Sequence, residues 1–281
     1  YTVDGTEPTN AAPSLGPISS GTQLSFNIGN TNMLFKVRAF KTNYDPSSTI
    51  SNVFSASNIS VDASGYLHLR ISSPRSGKWT CAEILDTTSL GAGKTSLGYG
   101  TYTFTLGSRV DALDPSVVLG LFTWSDYPAY AYREIDLEYS RWSWAGDPTN
   151  AQYVVQPWDT TNHLSRFTQG QLAVSVQRFT WAPGRIDWET RDGAGTLIAS
   201  KTYTGADVPV PGDERVRLNL WLYGGAAPTD GLPAEVVVRS FAFAPTPSPT
   251  PSPTPTPFSD PSPSQGGSNY PTPVPSPTPY G

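Results

Sequence analysis

The most constraining feature of this chain is the pattern of apolar residues between positions 55 and 244, which alternate with a period of two. No segment of useful length in this range shows the 3.6-residue period of an amphipathic helix. Turn-forming residues separate the alternating segments at the spacing that is typical of a β-sandwich. Eleven strands without helices in about 190 residues predict two packed antiparallel sheets, an all-β jelly-roll sandwich. The predicted strands are residues 66–71, 79–85, 98–106, 117–124, 134–139, 152–158, 173–181, 185–191, 197–203, 216–223 and 235–243.

Two regions of different composition flank this β-rich range. Residues 1–54 contain short apolar runs separated by turn-forming residues, which predicts a small N-terminal β-sandwich module. From residue 245 the chain is rich in proline, threonine and serine, and such a segment cannot bury enough apolar surface to fold. The sequence therefore predicts an accessory module over 1–54, a jelly-roll domain over 55–244 and a disordered linker over 245–281.

The charge of the chain excludes two classes of partner. The net charge is −5, and the lysine and arginine residues are scattered singly along the sequence. Nucleic acids and anionic membranes are bound through basic patches, so neither is expected as a partner. No apolar run is long enough to span a membrane. Because the sequence begins at Tyr1 without an initiator methionine, we expect a fragment or a mature product of a larger multidomain chain. We also expect it to be monomeric.

The cysteine and histidine residues indicate neither a disulfide nor a metal site. Cys81 is the only cysteine, which excludes an intramolecular disulfide, and the residues around it predict a buried small side chain. His68 and His163 stand alone, without the spacing of metal ligands or of a Ser-His-Asp triad. The sequence therefore predicts no cofactor and no metal ligands, and it leaves a structural calcium ion open.

Residues 134–138, with the sequence Glu-Ile-Asp-Leu-Glu, are the strongest candidate for a site of chemistry. On a strand, Glu134, Asp136 and Glu138 share one face, while the two aliphatic residues share the other. Three carboxylates on one face repel one another, which costs free energy unless solvent surrounds the face or the charges have a task. Paired carboxylates are the groups that hydrolyse glycosidic bonds. The alternative is a solvated strand face whose charges are offset by neighbouring arginines.

The predicted strand 216–222 repeats this two-faced pattern. Four aliphatic side chains form a core face, which leaves Arg217, Asn219 and Trp221 together on the other face. An exposed tryptophan is unusual, and a tryptophan beside polar groups suits a sugar-binding cleft because flat rings stack on sugars. The alternative is a surface tryptophan covered by a loop.

Four segments of the β-rich range carry a resemblance to known enzymes, and they occur in the same order along the chain. These segments are residues 98–102, 134–138, 179–188 and 219–221. With them, nearly all of 60–243 resembles glycoside hydrolase family 16, a concanavalin-like jelly-roll family of endo-β-glucanases that includes lichenases and laminarinases. The motif at 134–138 matches the family's catalytic signature in its shorter form.

The resemblance implies roles for the three acidic residues of the motif. Glu134 would be the nucleophile, Glu138 the general acid/base, and Asp136 would hold the pair in working order. The Cα atoms of residues four apart on a strand are separated by about 13 Å. A retaining pair needs its carboxyl groups about 5–5.5 Å apart, so two long side chains must lean toward each other. Glutamate at both ends and aspartate between them fits this need.

The predicted substrate-binding residues lie outside the motif at 134–138. Trp124 and Tyr132 fall where the resemblance implies sugar-stacking rings, and Asn219 and Trp221 are supported by both the face pattern and the resemblance. The insert 139–150 and the run 150–158 depart from well-known lichenases, which leaves the linkage specificity open. The predicted substrate-binding residues are Trp124, Tyr132, Trp158, Asn219 and Trp221.

A second resemblance concerns the N-terminal region. Residues 1–9, 16–18, 37–41 and 46–47 resemble the immunoglobulin-like module named after the C-terminal domain of chitobiases. That module is an accessory domain in secreted carbohydrate-active proteins, so the resemblance implies a spacer or accessory role and no catalytic residue. By this resemblance we expect the first strand of the module to be missing from the N-terminal end of the sequence.

Three functional hypotheses follow. The leading one is a secreted, retaining endo-glycosidase that hydrolyses a β-linked polysaccharide, most consistent with a β-1,3/1,4-glucan, and its partner is the polysaccharide substrate. One alternative is a non-catalytic, lectin-like protein, because jelly rolls also serve as glycan-binding modules. Another is a transglycosylase, which uses the same covalent intermediate. The Pro/Thr/Ser linker and the accessory module favour an extracellular location.

Overall fold

A computed structural model of the protein describes residues 52–73, 77–87, 96–130 and 132–246, together with the short segments 23–24, 35–38 and 41–42. These residues form antiparallel sheets of eight, seven and two strands, and the helical residues among them lie in short 3-10 helices. The predicted all-β jelly-roll sandwich is confirmed. In the part of the chain that is described, no helix is long and apolar enough to cross a membrane.

The strands are numbered in chain order. They are β1 (Gln23–Leu24), β2 (Phe35–Arg38), β3 (Lys41–Thr42), β4 (Asn52–Val53), β5 (Ile59–Val61), β6 (Leu67–Ile71), β7 (Ala82–Asp86), β8 (Gly100–Leu106), β9 (Val117–Trp124), β10 (Ile135–Tyr139), β11 (Ala151–Val155), β12 (Leu164–Phe167), β13 (Ser175–Ala182), β14 (Arg185–Asp192), β15 (Leu197–Thr204), β16 (Arg215–Leu222) and β17 (Ala234–Pro245). The eight-stranded sheet has the order β1-β2-β7-β16-β9-β10-β11-β12, and the seven-stranded sheet has the order β15-β14-β13-β8-β17-β6-β5.

All eleven strands predicted over 66–243 are present, with shifts at their ends. The segment predicted as 152–158 ends at Val155, because Pro157 cannot donate a hydrogen bond to a neighbouring strand. Strand β12 was not predicted, because its four residues are all half-buried and do not alternate between a buried and an exposed face.

Two short strands from the N-terminal region belong to the eight-stranded sheet. The pair β2 and β7 is antiparallel, with Phe35 opposite Asp86. Phe35 is fully buried, and its ring lies 5.6 Å from that of Phe241 on the other sheet. Most of residues 1–54 and all residues after 246 lie outside the described residues, so the immunoglobulin-like module, the boundary at 54 and the disordered linker stay predictions.

The burial of the two large sheets differs, and the difference locates the site. In β8 and β13 buried and half-buried residues alternate, which is the pattern of a sheet with one face in the core and one in solvent. In β9 and β16 seven of eight residues are buried. The central strands of the eight-stranded sheet are therefore covered on both faces, with the core on one side and the side chains of the site on the other.

The motif strand is fixed to the seven-stranded sheet through the core. Ile135 and Leu137 of β10 are buried in the main hydrophobic cluster. On β14, Trp188 stacks on Tyr153 with 6.1 Å between ring centroids, and its Nε1 donates a hydrogen bond of 3.1 Å to the carbonyl oxygen of Asp136. The indole therefore supports the backbone that carries the acidic residues.

We expect Trp188→Phe to lower the free energy of unfolding by about 1–3 kcal/mol, because the carbonyl of Asp136 loses a buried donor. Urea unfolding followed by circular dichroism measures the change. The matched control is Trp144→Phe, since Trp144 is 64% exposed and its replacement should leave the unfolding midpoint in place. Equal midpoints for both variants would contradict a supporting role for Trp188.

Candidate active site

The three acidic residues of the motif lie together on the face of β10 that points away from the core. Strands β9 and β11 flank β10, and the backbone N–H of Gln156 donates to the carbonyl oxygen of Glu134 just before the strand begins. Glu134, Asp136 and Glu138 all line one pocket. The predicted division of this strand into a core face and an acidic face is confirmed.

A glycine on the neighbouring strand makes room for this pocket. Gly120 of β9 is paired with Glu138 on one side and with Asn219 of β16 on the other. A Cβ atom at this position would lie 2.5 Å from the Oδ1 atom of Asn219 and 3.3 Å from the ring of Phe122. Gly120 and Phe122 line the pocket together with the acidic residues, Asn219 and Trp221.

We expect Gly120→Ala to weaken the binding of β-glucan oligosaccharides about tenfold, because the added methyl group must displace Asn219 and fill part of the pocket. Isothermal titration of a catalytically inactive background measures the change. Gly170→Ala is the matched control, since a Cβ atom there meets nothing within 4 Å. Binding as tight as that of the control would show that the pocket is not used.

Burial raises the pKa of all three carboxyl groups. It is the first cause at each residue, and it raises the pKa of Glu134 to about 8 and that of Glu138 to about 7. The pKa of Asp136 lies well above its usual range, because burial and the charges of both glutamates oppose its ionisation. The cluster therefore shares protons at neutral pH, which relieves the repulsion among three carboxylates on one face.

Two neighbouring groups, Asp136 and Arg217, lower the pKa of Glu134 and so oppose the effect of burial. Asp136, held protonated, hydrogen-bonds to Glu134, and this contact lowers the pKa of Glu134. The positive charge of Arg217 acts in the same direction. The amide Nε2 of Gln156 donates to Oδ2 of Asp136 at 3.3 Å, which fixes the aspartate between its neighbours.

Glu138 has a separate set of partners on the neighbouring strands β11 and β12. The Nε2 atom of Gln152 donates to Oε2 of Glu138 at 2.7 Å, and the charge of Arg166 lowers the pKa of Glu138 as well. Sequence analysis did not identify Gln152 or Arg166. The register that sets Glu138 opposite Gln152, and Gln152 opposite Arg166, is a property of strand pairing that no local pattern encodes.

Arg217, Asn219 and Trp221 share one face of β16 as predicted, but all three are buried, and the ring of Trp221 lies 6.3 Å from that of Trp142 in the loop after β10. Arg217 and Asn219 are each 2% exposed and Trp221 is 8% exposed. Arg217 forms an ion pair of 2.7 Å with Asp126, and Asn219 donates to Glu83 at 3.4 Å. The Oδ1 atom of Asn219 is buried and has no hydrogen-bond partner among the described residues, and a buried acceptor of this kind is costly unless a ligand or water donates to it.

The other three predicted substrate-binding residues lie outside the lining of this pocket. Trp124 is half-buried at the end of β9, with the Arg217 guanidinium 5.9 Å from its ring. Tyr132 and Trp158 are 62% and 61% exposed on the loops that precede β10 and follow β11. The structure thus brings Asn219 and Trp221 to the acidic cluster, and the roles of Trp124, Tyr132 and Trp158 stay predictions.

Cys81 lies outside the lining of the acidic pocket. Cys81 is buried as predicted, and burial raises the pKa of its thiol to about 12. Among the described residues, no group of three or more histidine, cysteine or acidic side chains could hold a metal ion.

The sequence matches no protein-family model and no curated protein, but its structure resembles solved ones. With a Bacillus licheniformis β-glucanase the identity is 22% and the TM-score 0.54, over 79% of this chain and 95% of that one. An endo-1,3-β-glucanase from Streptomyces sioyaensis gives 15% and 0.53, over 82% and 97%. A glycoside hydrolase family 16 endo-glucanase from Bacteroides ovatus gives 12% and 0.52, over 77% and 97%. The chain has their jelly-roll fold. At such identities its function must be argued from the site itself.

Proposed function

We propose that the protein is a secreted, retaining endo-glycosidase that hydrolyses a β-linked glucan. The observation that carries the proposal is the pocket lined by Glu134, Asp136 and Glu138, three carboxyl groups whose pKa values are all raised. A solvated strand face would leave its carboxyl groups near their ordinary pKa values, whereas glycosidic bond cleavage requires one ionised and one protonated carboxyl group.

In the first half of the reaction, the ionised carboxylate of Glu134 attacks the anomeric carbon and forms a covalent glycosyl-enzyme ester. Glu138 donates its proton to the departing glycosidic oxygen as that bond breaks, so the leaving chain departs as a neutral alcohol. Burial and the charge of Glu138 raise the pKa of Glu134 to about 8, above the value of about 7 for Glu138, while Asp136 and Arg217 favour the ionised form of Glu134. The assignment of Glu134 as nucleophile therefore rests on the resemblance of 134–138 to the catalytic signature, and the reactive form is the one in which the shared proton lies on Glu138.

In the second half, Glu138 is a carboxylate and accepts a proton from an incoming water molecule. The resulting oxygen nucleophile attacks the anomeric carbon, Glu134 leaves as a carboxylate, and Glu138 regains its proton. Two displacements at the same carbon retain its configuration. Gly120 lies directly opposite Glu138, and its missing side chain leaves room for Asn219, which lines the pocket beside the acid/base.

Two observations support a β-glucan as the substrate class, and a third supports an extracellular location. The ring of Trp221 lines the pocket, and Oδ1 of Asn219, which has no partner in the described part of the chain, can accept a hydrogen bond from a sugar hydroxyl. The solved structures with this fold include enzymes named as β-glucanases and an endo-1,3-β-glucanase. The composition of residues 245–281 is that of a spacer between modules of secreted proteins, which supports an extracellular location.

The decisive test is the release of reducing ends from barley β-glucan, laminarin, agarose and carrageenan by the wild type and by Glu134→Gln. We expect the wild type to cleave a β-glucan and the variant to be inactive, with proton NMR showing the β-anomer as the first product. Binding without cleavage by the wild type would favour the lectin-like alternative. Products longer than the starting oligosaccharide would favour the transglycosylase.

A further inference from the structure

A row of side chains crosses three neighbouring strands behind the proposed acid/base. Glu138 on β10 is directly opposite Gln152 on β11, and Gln152 is directly opposite Arg166 on β12. Residues opposite each other in an antiparallel pair lie on the same face of the sheet. The row is joined by hydrogen bonds, from Arg166 Nη1 to Gln152 Oε1 and from Gln152 Nε2 to Glu138 Oε2, each 2.7 Å long.

The orientation of the Gln152 amide is determined by its donors. Its Oε1 atom accepts from Arg166 Nη1 and also from the indole Nε1 of Trp142 at 3.2 Å. Neither guanidinium nor indole can accept a hydrogen bond, so a flipped amide would set its NH2 group against two donors. Gln152 is 6% exposed, which leaves little water to relieve such a clash. The NH2 group of Gln152 must therefore face Glu138.

Arg166 is itself held in place by the loop after β10, which is the insert 139–150 noted in the sequence. Its Nη2 atom forms an ion pair of 2.5 Å with Asp147, and its Nε donates to Thr149 Oγ1 at 2.7 Å. Asp147 also accepts from the backbone N–H and the hydroxyl of Thr149. Because so many partners hold the guanidinium, its positive charge stays at a fixed distance from Gln152 and Glu138.

We propose that Gln152 and Arg166 are positioning residues that hold the transferable proton of Glu138 on its Oε1 atom and stabilise the carboxylate left after proton transfer. The proposal rests on the proposed function and extends it. Because Oε2 accepts from an amide that can only donate, a proton on Glu138 must reside on Oε1. When that proton leaves, the negative charge forms beside an amide polarised by Arg166.

The row opposes the effect of burial on Glu138. Burial raises the pKa of this carboxyl group to about 7, and the Gln152 hydrogen bond and the Arg166 charge limit the rise. Among the described residues, the cation that lowers the pKa of Glu138 is Arg166 on β12. The other charged or titratable groups around the pocket are Glu134, Asp136, Asp147, Glu83 and Arg217.

The test is Arg166→Met, read from the pH dependence of kcat on a β-glucan. Removal of the positive charge should raise the pKa of Glu138, so the basic limb of the profile should move up by about 0.5–1 pH unit, while kcat falls about tenfold. Arg166→Lys keeps the positive charge, so its basic limb should lie at least half of the way back to the wild-type position. The matched control, Arg191→Met, removes an arginine that pairs with Glu189 on the other sheet and should leave the limb in place.

A second measurement keeps the inference independent of the proposed function. In protein labelled with ¹³C at the glutamate carboxyl groups, NMR titration reports the pKa of Glu138 directly, with Glu138→Gln identifying its signal. A higher pKa in Arg166→Met than in wild type supports the inference whether or not any polysaccharide is cleaved. An unchanged pKa, or an unchanged basic limb despite lower activity, would overturn it and leave Arg166 with a purely structural role.

Discussion

Glu134→Gln is expected to lower hydrolysis of β-glucan by at least about 10³-fold, because an amide oxygen cannot replace the carboxylate in covalent attack. The loss should be equally large on an aryl β-glycoside with a good leaving group, since that substrate still needs a nucleophile. Steady-state rates on both substrates measure the effect. Glutamine keeps the size of the side chain and an acceptor for the hydrogen bond from Asp136.

Stability measurements separate this loss from misfolding. The pKa of Glu134 is raised in the folded protein to about 8, so the folded state binds its proton more tightly than the unfolded state does. The stabilisation that accompanies this proton is complete below about pH 4.5 and is lost as the pH rises through about 8. Glutamine does not titrate, so the melting temperature of Glu134→Gln should exceed that of wild type at pH 9, and the difference should shrink toward pH 5.

The control for both measurements is Glu235→Gln, which removes a carboxylate whose side chain is 44% exposed on the other sheet. It should keep wild-type activity on both substrates. A Glu134→Gln variant that melts below wild type at every pH would contradict the raised pKa. A variant that is folded and still cleaves both substrates would exclude Glu134 as the nucleophile.

The elements that could be predicted from the sequence are those whose signal is local. The division of 134–138 into an acidic and an apolar face needs only the two-residue period of a strand, and the same is true of Asn219 and Trp221 on β16. Each of these side chains lies on the face that the alternation indicates. The jelly-roll class followed from the number of such segments and the lack of helical ones.

The parts that could not be predicted depend on which strands are neighbours. Gly120 matters because β9 lies between β10 and β16, and an isolated glycine in an apolar strand carries no sign of that position. Gln152 and Arg166 are functional candidates only through their register with Glu138. Register between strands is fixed by the whole sheet, so these residues emerge only once the strand order is known.

Glu138→Gln separates the two carboxyl roles, because its effect should depend on the leaving group. On β-glucan the departing sugar oxygen needs a proton, so loss of the acid should lower kcat by about 10²–10⁴-fold. A dinitrophenolate leaves without protonation, so formation of the glycosyl-enzyme from the dinitrophenyl β-glycoside should stay near the wild-type rate. Its pre-steady-state burst, measured by stopped flow, should be followed by slow turnover because no base activates the water.

The pH profile gives the same assignment a second, independent test. As general acid, Glu138 must be protonated, so wild-type activity on β-glucan should fall as the pH rises through about 7. This basic limb should disappear in Glu138→Gln, where the residual activity no longer depends on that proton. If the basic limb persists in Glu138→Gln, the proton donor is another group of the cluster, and Asp136, whose pKa also lies well above the usual carboxyl range, becomes the residue to replace next.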